Sequence, residues 1–121
     1  MKEIVLVGTG GFIGASLRYL TSTWVTQFNR FGFPVGTFSV NFIGCILFSV
    51  FVGLGLEKNS TLPLKEFAAI GVLGGFTTFS TFGLESFEML PAGLFKMTAF
   101  YVLGSIIMGL CGIGLGILIT R

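Results

Sequence analysis

The sequence contains little charge and lacks both histidine and aspartate. Of its 121 residues, 10% are charged, whereas soluble globular domains carry about 25%. We therefore expect no water-soluble domain and no nucleic-acid binding. The absence of histidine also removes the side chain that most often performs acid–base catalysis near neutral pH.

Cysteine is nearly absent as well. Cys45 and Cys111 lie in separate apolar segments without metal-ligand spacing, so we expect neither a disulfide nor a zinc site. No nucleophile with an adjacent base is found either, which makes an enzyme the least expected class.

Long apolar runs are present instead, and 53% of the residues are hydrophobic. A membrane core of roughly 30 Å needs about 20 apolar residues per helix. The first run continues past the length of a signal peptide without a small-residue cleavage site, so it is predicted to be a mature span. The chain is predicted to be an all-α membrane protein with one domain, 1–121, and helices at about 4–25, 35–56, 65–90 and 94–120.

Lysine and arginine are distributed almost evenly over the two predicted membrane sides. Four of them (Lys2, Lys58, Lys65 and Arg121) fall on the side of the termini and the polar 57–64 connection, and two (Arg30 and Lys96) fall on the other side. So weak a bias allows insertion in both orientations and antiparallel pairing. A fixed topology with the termini inside and parallel pairing is the rival. A homodimer is expected in either case, because four short helices enclose little volume.

Adjacent glycines lie in the middle of the third predicted helix. Gly74 and Gly75 favour a break there, and carbonyl oxygens freed by a break must be satisfied inside the protein. The backbone near Gly74 and Thr77 is thus a candidate cation site. The alternative is a straight helix in which Gly71 and Gly75 form a packing face.

Aromatic and hydroxyl side chains follow these glycines. Phe79 and Phe82 share a helix face that continues to Glu85, and phenyl ring edges carry partial positive charge that suits a small anion. Ser80 and Thr81 add hydroxyl donors beside them. Ordinary lipid-facing or packing phenylalanines remain the alternative.

Polar residues in the other predicted helices extend this set. Asn41 has an amide that donates either to an anion or to a neighbouring helix. Arg18 is expected to extend toward the interface, with the field of an anion vestibule as its alternative role. Tyr101 adds a hydroxyl to the same polar track or lies at the interface as tyrosines often do.

The glycine-rich start of the first helix, residues 8–15 (GTGGFIGA), has a superficial likeness to a dinucleotide-binding turn. That turn needs a soluble βαβ unit and an acidic residue about 20 positions further on, and both are missing. Small residues for close helix packing explain the run better.

Three segments in order resemble the Fluc (CrcB) fluoride channels of bacteria: residues 11–19 (GFIGASLRY), 36–44 (GTFSVNFIG) and 74–82 (GGFTTFSTF). The resemblance covers essentially the whole chain. It implies a multi-pass protein of the bacterial cell (inner) membrane that lets fluoride leave the cytoplasm passively and so confers fluoride resistance. It also implies an antiparallel, dual-topology homodimer with two pores and a break in the third helix.

The resemblance further implies roles for individual residues. Fluoride would pass Phe79 and Phe82, with Asn41 along the pore, Ser80, Thr81 and Tyr101 as a polar track, and Glu85 as an acidic residue near it. Carbonyls of Gly74 and Thr77 from both subunits would hold a structural Na⁺, and Arg18 matches a signature arginine of the family.

Two other functions are weighed against a channel. A small multidrug-type four-helix transporter has a similar size, but its mechanism needs an acidic residue deep in the first helix, where this chain has only Glu3 at the edge. A structural or assembly subunit explains the glycines and leaves the polar cluster at 77–82 without a purpose.

Overall fold

The computed structural model describes residues 1–59 and 63–121. Within them, no strand occurs, and four helices are long and apolar enough to cross a membrane: α1 (Lys2–Thr26), α2 (Val35–Gly53), α3 (Lys65–Met89) and α4 (Phe95–Ile119). The prediction of an all-helical chain with four spans is confirmed. Part of the predicted 57–64 connection, residues 60–62, lies outside the described residues.

Local backbone geometry determines where the spans end. The α1–α2 connection is held by Asn29, whose Nδ2 donates to the Phe33 carbonyl at 2.6 Å, and it turns at Gly32 with a φ of 70°. α2 ends at Gly53, before its predicted end near 56, and Gly55 follows with a φ of 66°. Positive φ values suit glycine because it lacks a Cβ atom.

Glycine brings α1 and α3 into close contact. Gly10 and Gly14 are the buried residues of α1, and a Cβ atom at either one would overlap a carbonyl oxygen of α3, that of Phe67 or Val72. On the α3 side, a Cβ atom at Gly75 would lie 2.8 Å from the Gly11 carbonyl oxygen. The predicted packing role of the glycine-rich start of α1 is therefore confirmed at Gly10 and Gly14.

α2 packs along α4 in a similar way. A Cβ atom at Gly116 of α4 would overlap the Ser49 hydroxyl of α2. Val40 of α2 and Tyr101 of α4 are the largest fully buried side chains in the described chain. Many large apolar side chains remain exposed on the single chain, which is compatible with a lipid environment.

α3 is irregular along its length. Lys65–Leu73 is a π-helix, Gly74–Phe76 is one α-helical turn, and Phe79–Met89 is an α-helix. Between the last two segments, Thr77 and Thr78 have extended backbone, with ψ angles of 157° and 124°. This two-residue segment carries the polar residues described next, and we call it the TT segment (Thr77 and Thr78).

Candidate ion pathway

The TT segment redirects two backbone N–H groups. The Thr78 N–H donates to Asn41 Oδ1 at 2.8 Å, although in a continuous helix it would donate to the Gly74 carbonyl. The Thr81 N–H donates to Thr78 Oγ1 at 3.3 Å instead of to the Thr77 carbonyl. The carbonyl oxygens of Gly74 and Thr77 thus lose their helical donors.

Asn41 binds the TT segment with both ends of its amide. Besides accepting from the Thr78 N–H, it donates from Nδ2 to the Thr78 carbonyl at 2.9 Å. This pair of bonds resembles the pairing between two extended strands and is the interhelical alternative foreseen for Asn41. Only one of the two Nδ2 hydrogens is needed for it, so the other is available to a further acceptor.

Arg18 contacts the same segment from α1. Its Nη1 donates to the Thr77 carbonyl oxygen at 3.2 Å. The side chain is half-buried and lines a cavity of about 320 Å³ together with hydroxyl residues that include Ser22, Thr37 and Thr81. The freed Thr77 carbonyl thus gives the guanidinium a partner inside the protein, and the extension of Arg18 toward the membrane interface stays a prediction.

Glu85 joins three of the described segments. Thr37 of α2 donates to Glu85 Oε1 at 2.8 Å, and the Tyr101 hydroxyl of α4 donates to Oε2 at 2.7 Å. Thr37 and Tyr101 are 4% and 0% exposed. The carboxylate therefore has a hydroxyl donor on each oxygen, and it borders a second cavity of about 350 Å³ that also contains Glu88.

The two predicted pore phenylalanines form an aromatic row with Tyr101. The ring centroids of Phe79 and Phe82 lie 5.7 Å apart, and those of Phe82 and Tyr101 lie 5.2 Å apart. Phe82 is half-buried, whereas Phe79 is 84% exposed. The row thus runs from the protein interior to the surface of the single chain.

Ser80 and Thr81 lie at this surface as well. Both are exposed, and their hydroxyls are within 3.4 and 3.1 Å of Thr78 Oγ1. The structure thus brings Phe82, Tyr101 and Glu85 together inside the chain and leaves Phe79, Ser80 and Thr81 on its outer face.

Sequence reasoning missed one hydroxyl residue at the site, Thr37, and a second one, Ser105, on the helix that carries Tyr101. Thr37 lies one helical turn before Asn41, and Ser105 lies one turn after Tyr101. The Ser105 Oγ is buried without a hydrogen-bond partner among the described residues, an arrangement that is rare for a hydroxyl in a membrane. The i, i+4 spacing from an already selected polar residue is the sequence signal that identifies both.

The residues expected to hold a cation offer oxygen atoms alone. Freed carbonyl oxygens are ligands that hard cations accept, and Gly74 and Thr77 border an open cleft of about 260 Å³ with Gly44, Cys45, Phe48, Leu73 and Ile113. Such oxygens are ligands that Na⁺ also accepts, although a single chain supplies only these two freed oxygens.

Comparison with known proteins identifies the family. The sequence profile described as CrcB-like protein, Camphor Resistance (CrcB), matches residues 5–117. The chain belongs to the CrcB-like family. Among its relatives, the protein of Phocaeicola vulgatus is 41% identical over 117 residues, covering 97% of each chain.

Two further relatives in the CrcB-like family align over the full length. The protein of Azobacteroides pseudotrichonymphae is 42% identical over 123 residues, and that of Agrobacterium fabrum is 37% identical over 122, each covering 100% of this chain and 98% of the relative. All three relatives are called "Fluoride-specific ion channel FluC".

Family membership also indicates whether the chain is an enzyme and where in the cell it is found. Neither the family description nor the relatives' names denote an enzyme, in agreement with the prediction that the chain is not one. With four helices long enough to cross a membrane, this CrcB-like chain is a multi-pass protein of the bacterial cell membrane.

Proposed function

We propose that the chain is a fluoride-selective channel that lets fluoride leave the cytoplasm passively and thereby relieves fluoride toxicity. The observation that carries this proposal is the aromatic row of Phe79, Phe82 and Tyr101 beside the hydroxyls of the TT segment. The relatives that match nearly the whole chain are called fluoride-specific ion channels, which supports the same function.

The chemistry of these groups suits fluoride. Fluoride is small and strongly hydrated, so a pathway must replace its water with several close donors. Ring edges, hydroxyls and the spare Asn41 amide hydrogen supply neutral donors. Neutral donors bind the ion without holding it as tightly as a fixed positive charge would, so the ion is able to leave again.

We further propose that two copies pair antiparallel and form two pores. Phe79, Ser80 and Thr81 lie exposed on one chain. Two of them, Ser80 and Thr81, are polar, and polar side chains that face lipid are costly. A second copy that covers this face would enclose them in a pathway. The ring of Phe79 would then complete a wall that a single subunit leaves open.

The structural Na⁺ belongs to the same proposal. Carbonyl oxygens of Gly74 and Thr77 from both copies would hold it, so that the oxygens freed by the TT segment gain a partner. Bound there, it supplies a fixed positive charge between the two pathways.

Ion efflux from proteoliposomes tests the channel. Liposomes loaded with potassium fluoride are expected to release fluoride when valinomycin carries the compensating potassium, and liposomes loaded with potassium chloride are expected to release almost none. Equal rates for both anions, or no fluoride release, would refute the proposal.

Phe82→Ile is expected to lower fluoride flux about tenfold or more, which corresponds to a loss of roughly 1.4 kcal/mol of stabilisation at the barrier. Phe87→Ile is the matched control, because Phe87 is on the same helical segment and is 70% exposed. Flux that falls equally in both variants would exclude a specific role of the Phe82 ring.

A further inference from the structure

Arg18 is a membrane-embedded cation whose partner is a backbone carbonyl. Its guanidinium donates to the Thr77 oxygen at 3.2 Å, and in the part of the chain that the structure describes no carboxylate forms a salt bridge with it. A charged side chain at this depth pairs either with an opposite charge or with a backbone carbonyl. Here the carbonyl dipole takes that role, and it is one of the two carbonyls offered to Na⁺ in the proposal above.

The Thr77 carbonyl oxygen has two lone pairs. Its helical donor is redirected, since the Thr81 N–H donates to Thr78 Oγ1. One lone pair thus accepts from Arg18, and the other remains for a second cation. Two positive charges that share one oxygen repel each other, and the repulsion is strong where water is scarce.

We propose that Arg18 lowers and thereby sets the Na⁺ affinity of the carbonyl site through this shared oxygen. The inference rests on the proposed sodium site, on which Arg18 acts through the Thr77 carbonyl without binding the ion itself. It also predicts the sign of the effect. If the arginine only braced the TT segment, its loss would weaken Na⁺ binding, whereas removal of a competing charge strengthens it.

The test compares variants that separate the charge of Arg18 from its hydrogen bond. Arg18→Gln keeps an N–H donor and loses the charge, and Arg18→Lys keeps both a donor and the charge. Each purified protein is exchanged into N-methylglucamine chloride and titrated with NaCl at constant ionic strength. The dimer fraction, measured by cross-linking and size-exclusion chromatography, reports Na⁺ binding without any measurement of flux.

The half-saturating Na⁺ concentration of Arg18→Gln is expected to fall at least about tenfold, the change that ~1.4 kcal/mol of repulsion produces, while Arg18→Lys stays close to wild type. An unchanged or higher value for Arg18→Gln, with a wild-type dimer that does depend on Na⁺, overturns the inference and leaves the sodium site standing. A wild-type dimer that is independent of Na⁺ overturns both.

Arg18→Met, which keeps the unbranched stem without charge or donor, is titrated in parallel. A fall in its half-saturating concentration supports the charge effect even when Arg18→Gln does not fold. Failure of both uncharged variants to form a folded protein would identify Arg18 as a structural brace and overturn the inference.

Discussion

Asn41 holds the extended backbone of α3 in place through two hydrogen bonds to one residue, Thr78. An α-helical N–H and carbonyl would otherwise pair within their own helix, and neither finds water in the membrane core. The amide therefore takes over the pairing that the helix gives up at this point. Asn41 of α2 therefore contributes to the shape of the candidate pathway.

Replacing Asn41 by leucine, whose side chain has the same branched arrangement of heavy atoms, is expected to destabilise the protein by ~1–3 kcal/mol, because the Thr78 N–H and carbonyl lose their partner. Unfolding in mixed detergent micelles measures the free energy, and hydrogen exchange at the Thr78 amide is expected to accelerate.

Asn41→Asp is the graded control for this substitution. A carboxyl group in this apolar environment is neutral, so it can accept from the Thr78 N–H and donate one hydrogen bond to the Thr78 carbonyl, and a smaller loss of stability than for leucine is expected. If the leucine variant were as stable as wild type, the amide would have no part in shaping α3.

At this site, the sequence predicts which residues are important better than it predicts which groups they contact. The polarity of Asn41, Arg18 and Tyr101 identified them as important, but the sequence did not identify the backbone group that Arg18 contacts. Arg18 was expected to reach the interface, and it binds the Thr77 carbonyl. That carbonyl lacks its helical donor because the Thr81 N–H donates to Thr78 Oγ1, and no pattern in the sequence reports such a backbone group.

At the scale of helices, glycine positions set the distance between α1 and α3. Gly14 illustrates this, since a methyl group there would overlap the Val72 carbonyl oxygen and lie 2.9 Å from the Phe76 nitrogen. Phe76 immediately precedes the TT segment, so a shift of α1 would move the residues that line the candidate pathway.

Gly14→Ala is expected to destabilise the protein by about 1–3 kcal/mol through overpacking, and to lower fluoride flux in the efflux assay. The control is Gly8→Ala on the same helix, where a Cβ atom would meet nothing within 4 Å. Helix propensity rises equally in both variants. A Gly14→Ala protein with the stability of Gly8→Ala would contradict the tight α1–α3 contact.

The helices themselves were easier to predict than the course of α3. Four apolar runs sufficed for the four spans, because lipid requires long apolar helices. Within α3, the sequence favoured an interruption at Gly74 and Gly75, but Gly74–Phe76 is helical and the extended backbone occurs at Thr77 and Thr78. Hydrogen bonds from α2 stabilise the extended residues there, and they cannot be deduced from glycine content alone.

At the scale of the whole molecule, two features lead to the expectation of an antiparallel dimer: the weak charge asymmetry and the exposed surface formed by Phe79, Ser80 and Thr81. Six lysines and arginines at the predicted membrane sides divide four against two, and such a bias orients a chain poorly. Antiparallel pairing would place the exposed face of Phe79, Ser80 and Thr81 against a second chain.

Dual topology predicts where the C-termini are found. In a background of Cys45→Ala and Cys111→Ala, a single cysteine added after Arg121 is expected to react with a membrane-impermeant maleimide in about half of the molecules in intact cells, because each antiparallel pair has one C-terminus on each side. Two extra lysines after Arg121 should lower that fraction, since they strengthen retention of this end in the cytoplasm. Labelling of all or none of the molecules in the unaltered chain would establish a single orientation and exclude antiparallel pairing, and with it two pores of opposite direction in one dimer.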